Sequence, residues 1–101
     1  MTGQRELRQG FAERKVKGGK LVRVRLIHDG EMIRSVRITG DFLLHPEETL
    51  VDIEMGLFGI PLDGGRDFFL EVVNGIAAER NAQFIGFSAE DIADLLEEAL
   101  I

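Results

Sequence analysis

The chain has 101 residues, 45% of them hydrophobic, and a formal net charge of −6. This length fits one compact domain, and the composition is not that of a disordered chain. The absence of cysteine excludes disulfides, thiolate metal sites and cysteine nucleophiles. No apolar run approaches the roughly 20 residues that span a bilayer, and the N-terminus lacks the apolar core of a signal peptide, so we expect a soluble, cytoplasmic protein.

Charge is distributed unevenly along the chain. Residues 1–40 contain ten lysines and arginines against four acids, whereas residues 41–101 contain two arginines against fourteen acids. The two segments therefore carry +6 and −12, which sum to −6. Such an asymmetry is typical of a basic face for phosphates or for an acidic partner. The structural alternative is that alternate positions of a half-exposed sheet must be polar and here happen to be basic.

The first half of the chain predicts extended strands joined by tight turns. The pair Gly18-Gly19 separates two extended segments, because a glycine pair supplies the positive φ that a two-residue hairpin needs. Asp29-Gly30 predicts a second hairpin. After a bend at Gly40, "DFLL" predicts either a short third strand or the return of the second. The first ten residues are polar and without a pattern, which indicates an arm or a contact with another chain.

At His45-Pro46 the hydrophobic period changes from two to about 3.6, which predicts a helix that Gly59 and Pro61 terminate. Its buried stripe is predicted from six apolar residues: Leu50, Val51, Ile53, Met55, Leu57 and Phe58.

Two further helices are predicted, one from the apolar stripe that begins at Phe68 and one that opens at Ser88 with capping-box spacing to Asp91. Between them, "QFIGF" predicts a strand-like segment. Strands followed by helices predict an α+β fold, in which about three helices pack on one face of a small antiparallel sheet.

The sequence "KGGK" at 17–20 invites comparison with a phosphate-binding loop. A Walker loop needs an earlier glycine where Arg14 stands and a serine or threonine where Leu21 stands, so that interpretation fails. A structural hairpin turn is the simpler interpretation. The alternative is a functional contact, in which the turn presents backbone N–H and ammonium groups to an anion.

The remaining polar residues predict surface positions. His28 and His45 lack the spacing for catalysis or metal binding and are interpreted as solvated turn residues. Five acids of the last helix are predicted to be solvated on its outer face: Glu90, Asp91, Asp94, Glu97 and Glu98. The residues Gly40-Asp41-Phe42 predict a corner, where the aspartate bonds nearby N–H groups while the phenylalanine turns into the core.

An ordered series of motifs resembles a known family. These are Gly18-Gly19 at a strand start, Asp29-Gly30 at a strand end, Gly40-Asp41-Phe42, the segment 57–63 of Leu-x-Gly-Ile-Pro-x-Asp pattern, and the closing helix of "IGFSAEDIADLLEEAL". Together they resemble the accessory, or C-terminal, domain of lipoate-protein ligases, which some systems make as a separate small subunit. The family usually has Gly-Asp-Phe-Phe, and Leu43 stands at the second phenylalanine.

The resemblance implies a single accessory domain over residues 15–101, preceded by an N-terminal arm over residues 1–14. It implies a heterodimer in which a separate catalytic subunit holds ATP, Mg and lipoate, while the accessory chain is needed to form lipoyl-adenylate. Lipoyl domains of acceptor proteins would be indirect partners, with no nucleic acid and no membrane involved.

The residues themselves agree with this role, since a chain without a nucleophile, a metal cluster or a nucleotide loop is a poor enzyme alone and offers no catalytic residue. Seven residues are therefore expected at the subunit interface that supports adenylation: Lys17, Gly18, Gly19, Lys20, Gly40, Asp41 and Phe42. Two other interpretations stay open, a non-catalytic scaffold domain and a nucleic-acid-binding module that uses the +6 segment.

Overall fold

The computed structural model describes residues 6–16 and 18–101. In these residues the elements are, in chain order, β1 (Arg8–Lys15), β2 (Leu21–His28), β3 (Ile33–Gly40), β4 (Leu43–His45), α1 (Glu48–Gly56), α2 (Gly65–Glu79), β5 (Gln83–Ile85) and α3 (Ala89–Ala99). The predicted α+β class and the three helices are confirmed.

Strands β1, β2 and β3 form an antiparallel sheet in that order. Both predicted hairpins are confirmed: Gly18 and Gly19 join β1 to β2 with φ angles of 92° and 81°, and Gly30 joins β2 to β3 with a φ of 90°. Strand β1 begins at Arg8, so residues 8–14 of the expected arm pair with β2. Residues 1–5 lie outside the described residues, and the division into arm and accessory domain stays a prediction.

The second hairpin is closed by the buried carboxylate of Asp29. It accepts hydrogen bonds from the backbone N–H groups of Met32 and Glu31, each at 2.9 Å, and from the guanidinium of Arg34 at 3.2 Å. These bonds, the one from Met32 foremost, hold the pKa of Asp29 below its ordinary value. The strong Asp-Gly turn signal therefore has a specific physical basis here.

Strands β4 and β5 form a separate two-stranded antiparallel sheet. The "DFLL" and "QFIGF" segments thus become partners, although about forty residues separate them. The predicted short strand after Gly40 is confirmed, and its pairing with β5 is the feature that the sequence analysis did not contain.

The helices lie on one side of the three-stranded sheet: α3 packs on β1 and β2, α1 packs on β3, and α2 packs against both of these helices. The core contains the inward side chains of β2, Val22, Val24 and Leu26, each at most 1% exposed. Opposite them, Phe69 of α2 and Leu95 of α3 are fully buried. The predicted packing of helices on one sheet face is confirmed.

The predicted buried stripe of the first helix is half wrong. Ile53 and Leu57 are fully buried, but Val51, Met55 and Phe58 are 53%, 69% and 59% exposed. The exposed three follow each other at spacings of four and three residues, so they form a second apolar stripe on the opposite side of the helix. A nine-residue helix with neighbours on one side covers only one of the two stripes.

Helix α3 begins with the predicted capping box. The Ser88 hydroxyl accepts a hydrogen bond from the Asp91 N–H at 3.1 Å, and the Asp91 carboxylate accepts one from the Ser88 N–H at 2.9 Å. Both orphan N–H groups at the start of the helix are therefore satisfied.

Three of the five acids of α3 are exposed, as predicted, but Asp91 and Asp94 are half-buried, and the prediction did not include the ion pairs that most of the five form. Asp94 pairs with Arg66 of α2 and lies 3.3 Å from Arg14 of β1, while Glu98 also pairs with Arg14. The Glu97 carboxylate accepts the Arg66 N–H at 2.9 Å, and Glu90 is exposed. These acids tie three elements together because the fold brings two distant arginines beside the helix.

Candidate functional site

The Gly18-Gly19 turn lies at one end of the three-stranded sheet. The Val16 N–H donates to the Lys20 carbonyl at 2.7 Å, and the Gly19 N–H donates to the Val16 carbonyl at 2.9 Å. A Cβ added at either glycine would meet nothing within 4 Å, so the outer side of the turn is open. Lys17 lies outside the described residues, and anion binding by this turn stays a prediction.

Gly40 stands beside the turn because it pairs with Val22 at the start of β2. Its φ is 148°, and a Cβ built on it would lie 2.0 Å from the Leu21 carbonyl oxygen. The same oxygen accepts the Asp41 N–H at 2.8 Å. Only glycine permits this close backbone approach, so Gly40 has a structural role that the corner interpretation anticipated.

Asp41 and Phe42 diverge after this bend. Asp41 is exposed, and its carboxylate forms no hydrogen bond with residues 6–16 or 18–101, so the predicted bond to nearby N–H groups is absent from that part of the chain. Phe42 turns inward, as predicted, and stacks on Phe87 with ring centroids 4.1 Å apart. Phe84 meets Phe87 edge-on at 5.1 Å. The three rings fix the corner against the entry to α3.

The structure brings three predicted residues, Lys20, Asp41 and Phe42, together around one open depression of about 280 Å³. It adds three residues that the sequence analysis did not select: Leu43, Ile85 and Gly86. Lys20 lies against Gly86, since a Cβ at Gly86 would be 3.4 Å from the Lys20 Cγ. We call residues 18–20, 40–43 and 85–86 the end surface.

Two exposed apolar side chains form the centre of the end surface. Leu43 and Ile85 are direct partners across β4 and β5, and they are 63% and 47% exposed. Lys20 and Asp41 lie beside them with opposite charges. An apolar centre with a polar rim is the usual anatomy of a protein interface. The one sequence signal for this apolar centre was Leu43, which stands where the family that the motifs resemble usually has phenylalanine.

Other sequence candidates lie away from the end surface. His28 is only 8% exposed, so its prediction as a solvated residue is wrong. It occupies the inward position that follows Leu26 on β2, and its Nδ1 accepts the Gly30 N–H at 3.1 Å. His45 is exposed, as predicted. In the described part of the chain, His, Asp and Glu side chains form no group of three that could hold a metal ion.

Comparison with known proteins finds a likeness in structure but no match in sequence. No protein-family model and no curated protein matches the chain. Among solved structures, it is similar to a chain of an archaeal lipoylation system from Thermoplasma acidophilum, described as a bi-partite lipoate protein ligase and its E2 lipoyl domain. The TM-score is 0.70 at 23% identity, over 90% of this chain and 94% of that chain.

The likeness shows a shared fold. It extends over 90% of this chain and 94% of that chain. No helix within residues 6–16 and 18–101 is both long and apolar enough to traverse a bilayer.

Proposed function

We propose that this chain is the accessory subunit of a two-chain lipoate-protein ligase. In this proposal it forms a heterodimer with a separate catalytic chain in the cytoplasm. It is needed for the ATP-dependent activation of lipoate to lipoyl-adenylate, and lipoyl domains of acceptor proteins receive the lipoyl group afterwards.

The observation that carries the proposal is the likeness in fold, over 90% of this chain, to a chain of an archaeal lipoylation system with a bi-partite lipoate protein ligase. The motifs of the sequence resemblance also support it, because Lys20, next to Gly18-Gly19, lines one depression with Asp41 and Phe42 although about twenty residues separate them. Three of the residues that the resemblance suggested therefore lie close together in the fold.

The chemistry of the end surface supports an auxiliary role. It contains a lysine, an aspartate and exposed apolar side chains, a combination that suits contact with another chain. Leu43 and Ile85 would be buried against the catalytic chain. Lys20, together with Lys17, would then face the adenylation site and offset phosphate charge as pyrophosphate leaves.

In this proposal ATP and lipoate are substrates of the complex, Mg²⁺ is its metal ion, and the catalytic chain binds all three. In the part of the chain that the structure describes, no three His, Asp or Glu side chains stand together, so the proposal assigns the metal to the catalytic chain. This chain's contribution is to position the catalytic chain and to supply positive charge at its edge.

The decisive experiment is lipoate-dependent ATP–pyrophosphate exchange by the catalytic chain encoded in the same genome, with and without this protein. We expect exchange to depend on its addition. Exchange that is indifferent to the protein would contradict the proposal and favour a non-catalytic scaffold.

Charge reversal then tests the role of the lysines. The double variant K17E/K20E should lower exchange more than it lowers lipoyl transfer from preformed lipoyl-adenylate to an acceptor lipoyl domain. The matched control is R80E, which reverses an exposed charge that pairs with Asp52 on the helical side. Equal losses in both half-reactions would show that the lysines only hold the complex together.

A further inference from the structure

The face of the three-stranded sheet that points away from the helices carries a group of arginines. Along β2, Arg23 and Arg25 alternate with the buried Val22, Val24 and Leu26. The outward side chains of the three strands line a shallow depression of about 370 Å³: Phe11, Arg23, Arg25, Arg37 and Thr39. We call these five residues the arginine face.

The charges of the arginine face are not balanced within the described chain. Arg25 and Arg37 are direct partners across β2 and β3, and like charges in that position are destabilising. Arg23 pairs with Glu13 at 3.2 Å, but neither Arg25 nor Arg37 forms an ion pair with any carboxylate of residues 6–16 and 18–101. The residues outside those ranges include no acid.

The arginines on the helical side of the sheet differ in this respect. Arg14 lies against three acids of α3, and Arg66 against Asp94. The chain therefore has enough acids, but its fold collects them on the helices and leaves two opposed arginines on the open sheet face. Internal stability does not account for that arrangement.

The side chains of the arginine face suit a protein surface that carries carboxylates. A guanidinium binds a carboxylate through two parallel N–H donors, and all three basic residues here are arginines. Arg25 lies over the Phe11 ring at 5.6 Å, and Phe11 is 49% exposed. Arginine and aromatic residues are the types that protein interfaces favour, whereas lysine is depleted there.

A nucleic acid fits the same face less well. Phe11 is the only Phe, Tyr or Trp among residues 1–40, so successive bases would have one ring on which to stack. The net charge of −6 for the chain, and of −12 for residues 41–101, also repels a long polyanion. A partner with a local group of acids avoids that repulsion.

We propose that the arginine face docks a carboxylate-rich surface of the catalytic chain. The inference rests on the proposed function for the identity of that partner. Position supports it: Arg23 pairs with Thr39 on the rung next to Val22 and Gly40, so the arginine face runs directly into the end surface. A chain that covers the end surface reaches Arg23 first and then the opposed pair of Arg25 and Arg37.

The test measures the dissociation constant of the heterodimer at 50 and 300 mM NaCl, together with ATP–pyrophosphate exchange. The variant R25E/R37E should bind the catalytic chain at least about tenfold more weakly at low salt and lose most of the salt dependence. The control R80E should stay within about twofold of wild type, because exposed ion pairs contribute little. Saturating amounts of R25E/R37E should restore maximal exchange, since the arginines act in binding.

The outcomes separate the two proposals. Wild-type protein that neither binds the catalytic chain nor stimulates exchange would overturn the proposed function and this inference with it. If wild-type protein stimulates exchange but R25E/R37E binds the catalytic chain as tightly as wild type does, only the docking role of the arginine face is overturned.

A 20-nucleotide single-stranded RNA serves as a further probe. RNA binding by wild type at 150 mM NaCl that R25E/R37E abolishes would also overturn the inference, in favour of a nucleic-acid surface. If R25E/R37E does not fold, the variant R25Q/R37Q, which removes the like-charge contact, is used in its place.

Discussion

Three glycine-to-alanine substitutions test whether the end surface depends on backbone contacts at Gly40. At this position an added Cβ would lie 2.0 Å from the Leu21 oxygen and 3.0 Å from the Val22 Cα. A carbon and a carbonyl oxygen normally stay about 3.3 Å or more apart, so the chain would have to move by more than about 1 Å. Such a movement would break the 2.8 Å bond from the Asp41 N–H to Leu21.

The expected cost of Gly40→Ala has two parts. A φ of 148° costs a residue with a Cβ about 1–3 kcal/mol, and forcing an extra carbon into a packed contact costs about 1–3 kcal/mol more. The sum is about 2–6 kcal/mol. At Gly18 the φ is 92° but nothing lies near the added carbon, so only the backbone part of about 1–2 kcal/mol applies.

Gly75 is the control for the alanine side chain itself. It lies exposed in the interior of α2 with an ordinary helical φ and no atom within 4 Å of its added carbon, so Gly75→Ala should stabilise the protein by about 0.5–1 kcal/mol. Urea unfolding at 25 °C, followed by circular dichroism, gives the three free energies. Equal losses for Gly40→Ala and Gly18→Ala would refute the contact argument, and a loss for Gly75→Ala would refute the reasoning from helix propensity.

Three further predictions concern α3 and the end surface. Ser88→Ala removes half of the capping box and should lower the free energy of unfolding by about 1 kcal/mol; an unchanged value would contradict the capping role. The hydrogen bond from Arg66 and the charges of Arg66 and Arg14 hold the pKa of Asp94 below its ordinary value of 3.8. The ionised carboxylate therefore stabilises the fold above pH 3.8. This stabilisation is lost as the pH falls through the lowered pKa. The stability advantage of wild type over Asp94→Asn should therefore be present at pH 6 and disappear toward pH 2, and an advantage independent of pH would contradict this. The double variant Leu43→Ser with Ile85→Ser should leave the free energy of unfolding in urea nearly unchanged, because both side chains are exposed. It should nevertheless weaken binding to the catalytic chain at least about tenfold. Binding equal to that of wild type would exclude these residues from the interface.

Local signals in the sequence correctly predicted much of the fold. Gly18-Gly19, Asp29-Gly30 and the spacing from Ser88 to Asp91 each act within a few residues, through positive φ angles or hydrogen bonds between neighbours. The period of the apolar residues likewise identified all three helices. None of these features needs a distant partner, and so the sequence alone is sufficient for them.

The phase of the first helix could not be obtained in the same way. Two apolar stripes run along it, one through Ile53 and Leu57 and the other through Val51, Met55 and Phe58. Periodicity shows that both exist, but the neighbours of the helix decide which one is buried. The same holds for His28, whose turn composition suggested solvent while its strand position faces the core.

The order of the residues is sufficient to predict the turns, the helices, the absence of thiol chemistry and the excess of positive charge in residues 1–40. Which charges are neutralised depends on the folded chain, because the fold brings the acids of α3 to Arg14 and Arg66 and leaves Arg25 opposite Arg37. It also formed the end surface by pairing β4 with β5 across about forty residues. Contacts between residues so far apart depend on how the whole chain packs, and a local pattern carries no information about them.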